Sequence, residues 1–310
     1  MDHDIIGDVH GHAQELRELL KHLGYRETDR AWRHPTRQAL FVGDFIDRGP
    51  GQLETIGLVR RMVESGSAQA VMGNHEFNAI AWHTPDPLSP GEYLRPRGGV
   101  VGHKNLKQHD RFLAEVSDSN VHDDIVDWFL TLPLWLDLPS LRLVHACWHD
   151  EYMRELAPML TPNHQLTREL VVRASRPGLM EFRTVEGVTK GIEVPLPEGY
   201  AFLDKDGNER RSVRVRWWDN DAFTYRALAL MPPEDLDRIP DIPVPAWLGC
   251  GNGHSKPVFF GHYWMSGSPT PVSENAVCVD YSVAKGGKLV AYRFDAGEPL
   301  SADHFAWAGA

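Results

Sequence analysis

The sequence DIIGDVHG at residues 4–11 joins a short apolar run to a turn that carries an aspartate and a histidine. The apolar run predicts a buried β-strand, and the two polar residues follow directly after its end. Asp8 and His10 are two residues apart, so both side chains can face the same side of the chain. A carboxylate and an imidazole placed in this way can bind one metal cation. This stretch therefore predicts a strand that ends at a metal site.

The same pattern of strand and polar turn recurs twice. GDFIDRG at residues 43–49 follows the apolar run 39–42, and GNHE at 73–76 follows a strand predicted over 68–72. Two amphipathic helical patterns separate the three strands, which is the order of an α/β sheet flanked by helices. A single Gly-Asp or Gly-Asn turn could be a plain tight turn. Three such turns after three successive strands instead predict one cluster of ligands at one edge of the sheet.

Two histidines extend this set of candidate ligands. His145 and His262 each follow a predicted strand, as the other candidates do, and are therefore preferred among the 16 histidines of the chain. Histidines such as His109 and His122 lie in helical or loop sequence, which predicts exposure to solvent. The candidate site accordingly combines carboxylate, imidazole and amide side chains, a donor set that suits a divalent metal ion.

Composition and charge restrict the class of protein and of partner. The 310 residues carry a formal net charge of −11, which argues against binding of long nucleic acid. No apolar run approaches the roughly 20 residues needed to span a bilayer. The acidic N-terminus leaves no room for a secretory signal, so we expect a cytoplasmic protein. The widely spaced Cys147, Cys250 and Cys278 are expected to be reduced thiols.

The chain beyond residue 80 gives weaker secondary-structure signals. Residues 83–120 are rich in Pro, Gly and Arg and are expected to form a loop-rich insertion. Residues 150–248 are expected to be helical in their first half and hairpin-like in their second, with a turn at Asp206-Gly207-Asn208. The remaining predicted elements are a helix at 125–130 and strands at 134–138, 141–146, 257–260, 276–280 and 288–294.

The motif series resembles that of the calcineurin-like metallophosphoesterases and, within them, the PPP-type group. The matching motifs, in the order usual for that family, are GDVHG, GDFIDRG, GNHE, VHAC at residues 144–147 and GH at 261–262. The segment 278–291 is also similar to the end of the bacterial symmetrical diadenosine tetraphosphatases. The resemblance covers about residues 4–80, 141–149 and 257–294.

This resemblance implies an α/β fold class in the form of a four-layer α/β/β/α sandwich of two mixed sheets. The predicted order of strands and helices is consistent with such a fold. A single domain would span residues 1–310, and insertions at about 83–125 and 150–250 would form a cap over the strand ends.

The resemblance also implies a ligand set for two divalent metal ions. The first metal would be held by Asp8, His10 and Asp44. The second would be held by the same Asp44, as a bridge, together with Asn74, His145 and His262. General members of the superfamily carry GHxH at the last motif, but residue 264 here is tryptophan, which leaves the first metal with fewer protein ligands. Manganese is expected from the family, although iron, zinc, nickel, cobalt and magnesium also suit these donors.

Three further residues have implied roles in hydrolysis by a hydroxide that bridges the two metals. Arg48 would bind phosphoryl oxygens. His75 would protonate the departing oxygen, and Asp47 would hold the tautomer of His75. Arg48 could instead belong to a surface salt bridge, and Asp47 could instead cap the N-terminus of a helix.

Contacts to the rest of the substrate are less constrained by the sequence. Arg216 is either a second phosphate contact or a surface charge of the cap. Trp148 and Trp264 follow His145 and His262 closely, so their indoles are expected near the metals. There they either stack a nucleobase or pack beneath the cap.

The preferred function is hydrolysis of a dinucleoside polyphosphate or another small phosphorylated metabolite. A protein Ser/Thr phosphatase is a second hypothesis, because the same site serves both reactions. A scaffold that kept the fold and lost the reaction would lack at least one ligand, and every ligand position is filled here.

Overall fold

The computed structural model of the chain describes residues 2–116, 119–203, 207–248 and 256–309. Asp206 of the predicted turn and Cys250 lie outside these ranges. Cys278 is a buried free thiol, as predicted from the cysteine spacing, and Cys147 is also buried.

The strands of the described residues are mostly short. They are β1 (Asp2–Ile6), β2 (Arg26–Thr28), β3 (Ala31–Arg33), β4 (Arg37–Phe41), β5 (Ala68–Ala70), β6 (Trp135–Asp137), β7 (Arg142–Val144), β8 (Glu193–Pro195), β9 (Phe202–Leu203), β10 (Glu209–Arg210), β11 (Ser212–Arg214), β12 (Val258–Phe260), β13 (Ala276–Cys278), β14 (Asp280–Tyr281), β15 (Lys288–Phe294) and β16 (Phe305–Gly309).

The helices range from a single turn to 17 residues. They are α1 (Ala13–His22), α2 (Gln52–Glu64), α3 (Asn74–His83), α4 (Gly99–Glu115), α5 (Ser119–Phe129), α6 (Asp150–Leu156), α7 (Arg168–Ala174), α8 (Met180–Lys190) and α9 (Tyr225–Leu228). Within the described ranges, every helix is too short or too polar to cross a membrane.

The strands form two large sheets and three two-stranded ribbons. The first sheet has the order β14-β15-β1-β4-β5, with β16 paired to β15, and the second has the order β13-β12-β7-β6. In the first sheet β4 is parallel to β1 and β15 is antiparallel to it. In the second sheet β12 is parallel to β7 and β6 is antiparallel to it. Both sheets are therefore mixed, as predicted.

The two sheets pack face to face through side chains that alternate along their strands. Ile5 and Leu40 of the first sheet share one buried apolar cluster with Leu143 and Phe259 of the second. The next residue of β1, Ile6, belongs to the cluster that also contains residues of α1 and α2. Burial of each such side chain contributes roughly 1.5–3 kcal/mol. This core holds the layered α/β sandwich together and aligns the strand ends that carry the candidate ligands.

In the region predicted to be loop-rich, residues 83–120, the part from 84 to 98 has no helix or named strand, but the part from 99 onward is mostly helical, so the prediction was wrong for that second part. α4 alone spans 17 residues, and its buried positions are Gly102, Asn105, His109 and Phe112. These positions are three or four residues apart, as on one face of a helix. Because only one of them is a large apolar residue, the hydrophobic pattern gave no helical signal.

The prediction for residues 150–248 agrees with the structure. α6, α7 and α8 occupy the first half of this segment. In the second half β9 pairs antiparallel with β10, and β8 pairs antiparallel with β11.

Candidate metal centre

Strand ends from both sheets meet at one edge of the sandwich. The predicted ligands there are Asp8 and His10 after β1, Asp44 after β4, Asn74 at the start of α3, His145 after β7 and His262 after β12. Asn74 Oδ1 lies 3.1 Å from His145 Nε2, and the amide of His262 donates to Asp8 Oδ2 at 3.0 Å. Residues from five separate parts of the chain are thus in contact at one place.

Asp44 lies at the centre of this cluster. Its Oδ2 is 3.7 Å from His10 Nε2 and 3.4 Å from His145 Nε2. In each of two groups of three residues, the candidate ligand atoms lie within 4.8 Å of one another, and Asp44 belongs to both groups. The groups are His10, Asp44 and His75, and Asp44, His145 and His262. A carboxylate with donors on two sides is placed to bridge two cations.

Backbone carbonyls fix the orientation of two of the imidazoles. His10 Nδ1 donates to the carbonyl of Ile46 at 2.9 Å, and His145 Nδ1 donates to the carbonyl of Val42 at 2.7 Å. In the neutral form of each ring, Nε2 is then the unprotonated nitrogen, and in both rings it is directed at Asp44. Metal-binding histidines commonly have their second nitrogen held in this way.

The environment of Asp8 indicates that the site fits a cation. The residue is 2% exposed, and its Oδ1 has no hydrogen-bond partner among the described residues. Burial, together with the nearby carboxylate of Asp280, raises the pKa of Asp8 well above its usual range. A cation would satisfy this oxygen and offset the charge. Gly261 keeps the space open, because a Cβ there would lie 2.0 Å from Asp8 Oδ1.

Left-handed backbone conformations are concentrated at this edge. Ten described residues other than glycine have a positive φ, and six of them are site residues predicted from the sequence. The six are His10, Asp44, Asp47, Arg48, His262 and Trp264. Such conformations cost of order 1–3 kcal/mol each and persist only where the surrounding structure holds them. The fold therefore constrains these loops in the way that is typical of functional sites.

Glu76 joins two of these loops, and the sequence analysis did not select it. Its buried carboxylate accepts hydrogen bonds from the amides of Asp44 at 2.8 Å, Phe45 at 2.8 Å and Gly73 at 2.9 Å. These bonds hold the turn that carries Asp44 against the start of α3. The available signal was the position of Glu76 in the first helical turn, where a carboxylate often accepts free amides.

His75 lies beside the candidate ligands and is held by Asp47. His75 Nδ1 donates to Asp47 Oδ2, and His75 Nε2 is 3.8 Å from Asp44 Oδ2. His109 of α4 approaches Asp47 from the other side, with its Nδ1 donating to Oδ1 at 3.0 Å. The predicted exposure of His109 and His122 was wrong, because both side chains are buried.

The shared carboxylate of Asp47 remains ionised. Burial opposes its ionisation, but hydrogen bonds from His109 and His75 lower the pKa of Asp47 to about 2. Burial likewise opposes protonation of His75, yet Asp44 and Asp47 together raise the pKa of His75. The N-cap of α2 is Gly51, so Asp47 does not cap that helix.

Comparison with known proteins decides the family. A family model described as calcineurin-like phosphoesterase matches residues 4–169, which is more than half of the chain. The chain belongs to the calcineurin-like phosphoesterase family. Its two mixed sheets agree with the fold class that the resemblance implied.

Individual relatives of this phosphoesterase are named as nucleotide hydrolases. The asymmetrical bis(5'-nucleosyl)-tetraphosphatase PrpE of Oceanobacillus iheyensis is 31% identical over 46% of this chain and 54% of its own length. The symmetrical bis(5'-nucleosyl)-tetraphosphatase of Actinobacillus succinogenes is 24% identical over 94% of this chain and 92% of its own. A crystal structure named provisionally as a diadenosine tetraphosphatase has a TM-score of 0.50 at 18% identity and covers 99% of this chain and 93% of its own. The chain spans about half the length of the curated relatives that it matches at about 30% identity.

Two cations face the indole of Trp264 in this phosphoesterase. The exposed Arg48 has its guanidinium carbon 5.9 Å from the ring centroid, and Lys285 Nζ lies 3.4 Å from it. The amide of Trp264 donates to Asp280 Oδ2 at 2.8 Å, which fixes the backbone just after His262. Trp264 is half-buried. Trp264 therefore follows the candidate ligand His262 by two residues, with two basic side chains near its ring.

The structure places Arg216 against the segment around Ala227 rather than toward the ligands. Its guanidinium donates to the Ala227 carbonyl and lies 3.5 Å from a carboxylate oxygen of Asp219. Arg214, two residues earlier, instead places Nη1 3.3 Å from His262 Nε2. The basic side chain of this segment that contacts a candidate ligand is therefore Arg214, which the sequence analysis did not select.

Trp148 packs in the interior of the phosphoesterase. The residue is 6% exposed, its Nε1 donates to Asp150 Oδ1 at 2.9 Å, and the guanidinium of Arg142 lies 4.6 Å from its ring centroid. Arg142 begins β7, at the end of that strand away from His145. This position favours the packing alternative over the base-stacking alternative for Trp148.

Proposed function

We propose that the chain hydrolyses a dinucleoside polyphosphate at a site that holds two divalent cations, with manganese as the expected ion. The observation that carries this proposal is the position of Asp44 between His10 and His145, next to the unpaired buried oxygen of Asp8. The relatives named bis(5'-nucleosyl)-tetraphosphatase support the substrate class.

The ligands divide between two ions. The residues that would hold them are Asp8, His10 and Asp44 for the first ion, and Asp44, Asn74, His145 and His262 for the second. When bound, the two ions supply Lewis-acid activation of water and of the phosphoryl oxygens.

Side chains of the chain itself supply the remaining chemistry. Arg48 and Arg214 bind nonbridging phosphoryl oxygens, because a guanidinium matches them in geometry and charge. His75 gives the proton on Nε2 to the leaving oxygen as its bond to phosphorus breaks. Asp47, itself held by His109, keeps His75 in the required orientation through Nδ1. Water adds across the broken bond, so both products are phosphorylated nucleosides.

The two insertions form the cap in this proposal. The first, at about 83–125, brings His109 to Asp47, and the second, at about 150–250, brings Arg214 to His262. Each insertion thus contributes a residue in contact with the site. Enclosure by the cap would select the substrates that can reach the metals.

The proposal is tested by hydrolysis of four substrates with manganese present. These are diadenosine tetraphosphate, a mononucleotide, 4-nitrophenyl phosphate and a phosphoserine peptide. We expect the highest kcat/KM for diadenosine tetraphosphate. A higher value for the phosphopeptide would favour the protein phosphatase hypothesis, and no hydrolysis of any of the four would favour the inactive scaffold.

Replacement of Trp264 by leucine should lower activity toward nucleotides selectively. Base stacking on an aromatic ring is worth about 1–3 kcal/mol, so kcat/KM for diadenosine tetraphosphate should fall roughly 5- to 150-fold. Hydrolysis of 4-nitrophenyl phosphate, which has no nucleobase, should change little. Trp148→Leu is the matched control and should leave the ratio of the two activities unchanged. Equal losses on both substrates in Trp264→Leu would show that this indole supports the metal site itself.

A further inference from the structure

A cavity of about 890 Å³ lies in the second insertion beside the candidate metal centre. Its walls come from β8, β9, β10 and β11, from the segment 230–238, and from Lys285. Small-molecule sites in proteins commonly have volumes of about 300–1,000 Å³, so the cavity can hold a nucleotide.

Two of the lining residues connect the cavity to the metal ligands. Arg214 lines the cavity and also contacts His262 Nε2 at 3.3 Å. Lys285 lines it and lies over the ring of Trp264, whose other neighbour is Arg48. A small molecule bound in the cavity can therefore extend to the candidate metal-binding residues along a continuous row of basic side chains.

The polar part of the lining is suited to phosphate. Among the described residues that line the cavity, four are basic and three are acidic. The basic residues are Arg210, Arg214, Arg238 and Lys285, and the acidic ones are Glu193, Glu234 and Asp235. Glu193 lies 3.4 Å from Arg214 and 3.8 Å from Arg210, so it orients both guanidinium groups. Arg214 Nε is buried without an acceptor among the described residues, which leaves a donor for an anionic ligand.

The apolar part of the lining is suited to a base or ribose. Phe202, Leu203, Met231 and Pro232 all contribute to it. Leu203 is 55% exposed, so its side chain is accessible to a ligand in the cavity.

We propose that this cavity binds the distal half of the substrate, which is the second nucleoside together with the phosphates next to it. The inference rests on the proposed function, since it requires a substrate with two nucleosides. The scissile phosphate lies at the metals, the connecting phosphates contact Arg214 and Lys285, and the remaining phosphate and nucleoside contact Arg210, Arg238 and the apolar wall. The basic side chains of the cavity offset locally the repulsion between an anionic ligand and a chain with a net charge of −11.

The test is a charge-reversed double variant, Arg210→Glu with Arg238→Glu, assayed at about 0.15 M ionic strength to screen long-range charge effects. The two side chains are 46% and 54% exposed, so the fold should tolerate the change. The matched control is Arg26→Glu with Arg168→Glu, which changes the net charge equally at exposed positions outside the cavity. Each protein is assayed on diadenosine tetraphosphate and on 4-nitrophenyl phosphate.

The cavity variant should lose at least about tenfold in kcat/KM for diadenosine tetraphosphate, which one lost charge-assisted contact would produce. Its activity on 4-nitrophenyl phosphate should stay within about twofold of wild type, and the control should match wild type on both substrates. Unchanged kcat/KM for diadenosine tetraphosphate, an equal loss on both substrates, or an equal loss in the control would overturn the cavity assignment alone. A wild-type protein that cleaves 4-nitrophenyl phosphate but not diadenosine tetraphosphate would overturn the proposed function, and the cavity assignment with it.

Discussion

A His75→Asn variant is expected to hydrolyse the mononucleotide about 10²- to 10⁴-fold more slowly than wild type, the usual effect of removing a positioned general acid when the leaving group is poor. The leaving group of a mononucleotide is the ribose alkoxide, a strongly basic oxygen that gains charge as its bond to phosphorus breaks. His75 Nδ1 is bound to Asp47, so Nε2 is the nitrogen that can give up a proton to this oxygen. The backbone amide of His75 donates to Asp44 Oδ1 at 3.0 Å, and asparagine keeps that bond. Steady-state kcat measures the effect.

The control for this prediction is the leaving group. 4-Nitrophenolate needs little protonation to depart, so hydrolysis of 4-nitrophenyl phosphate should be slowed far less by His75→Asn. Metal content should stay at the wild-type level. If the variant loses the same factor on both substrates, or loses metal, His75 acts as a ligand or a structural residue and not as the acid.

An Asp44→Asn variant is expected to bind both ions more weakly and to lose roughly a thousandfold or more in kcat/KM, since the metals contribute several kcal/mol to the reaction. Asp44 Oδ2 lies 3.7 Å from Nε2 of His10, a candidate ligand of the first ion, and 3.4 Å from Nε2 of His145, a candidate ligand of the second. Asp4→Asn is the matched control, because Asp4 is also a buried aspartate but pairs with Arg37 and Arg293. That variant should lose stability and keep its metals. Similar metal loss in both variants would mean that Asp44 acts only through the fold.

The cluster of candidate ligands could be predicted from the sequence because each candidate follows a strand and each strand has its own apolar run. Asp8, Asp44 and Asn74 appear in order after three strands, and parallel strands bring such residues to one edge. The order of strands and helices also indicated an α/β fold, whereas the two mixed sheets were implied by the resemblance to the calcineurin-like family.

The supporting residues could not be predicted, because their roles depend on packing between distant parts of the chain. His109 lies on a helix whose buried face is mostly polar or small, so its burial beside Asp47 left no hydrophobic pattern. Arg214 and Arg216 are two residues apart in a segment of short strands, where the sequence does not tell which guanidinium reaches His262. The positive φ angles of the loops that carry the candidate ligands also could not be predicted, because tertiary contacts impose them.

The measurement that tests the central claim most directly is the number of metal ions per chain. Wild-type protein and the Asp44→Asn variant would be saturated with manganese, freed of unbound ion, and analysed for metal by elemental analysis, with hydrolysis of diadenosine tetraphosphate measured on the same samples. The dinuclear site predicts two ions per wild-type chain, fewer in Asp44→Asn, and hydrolysis that disappears when wild type is stripped with a chelator. A wild-type protein that is fully active with one ion or none, or an Asp44→Asn variant with two ions and wild-type activity, would contradict it.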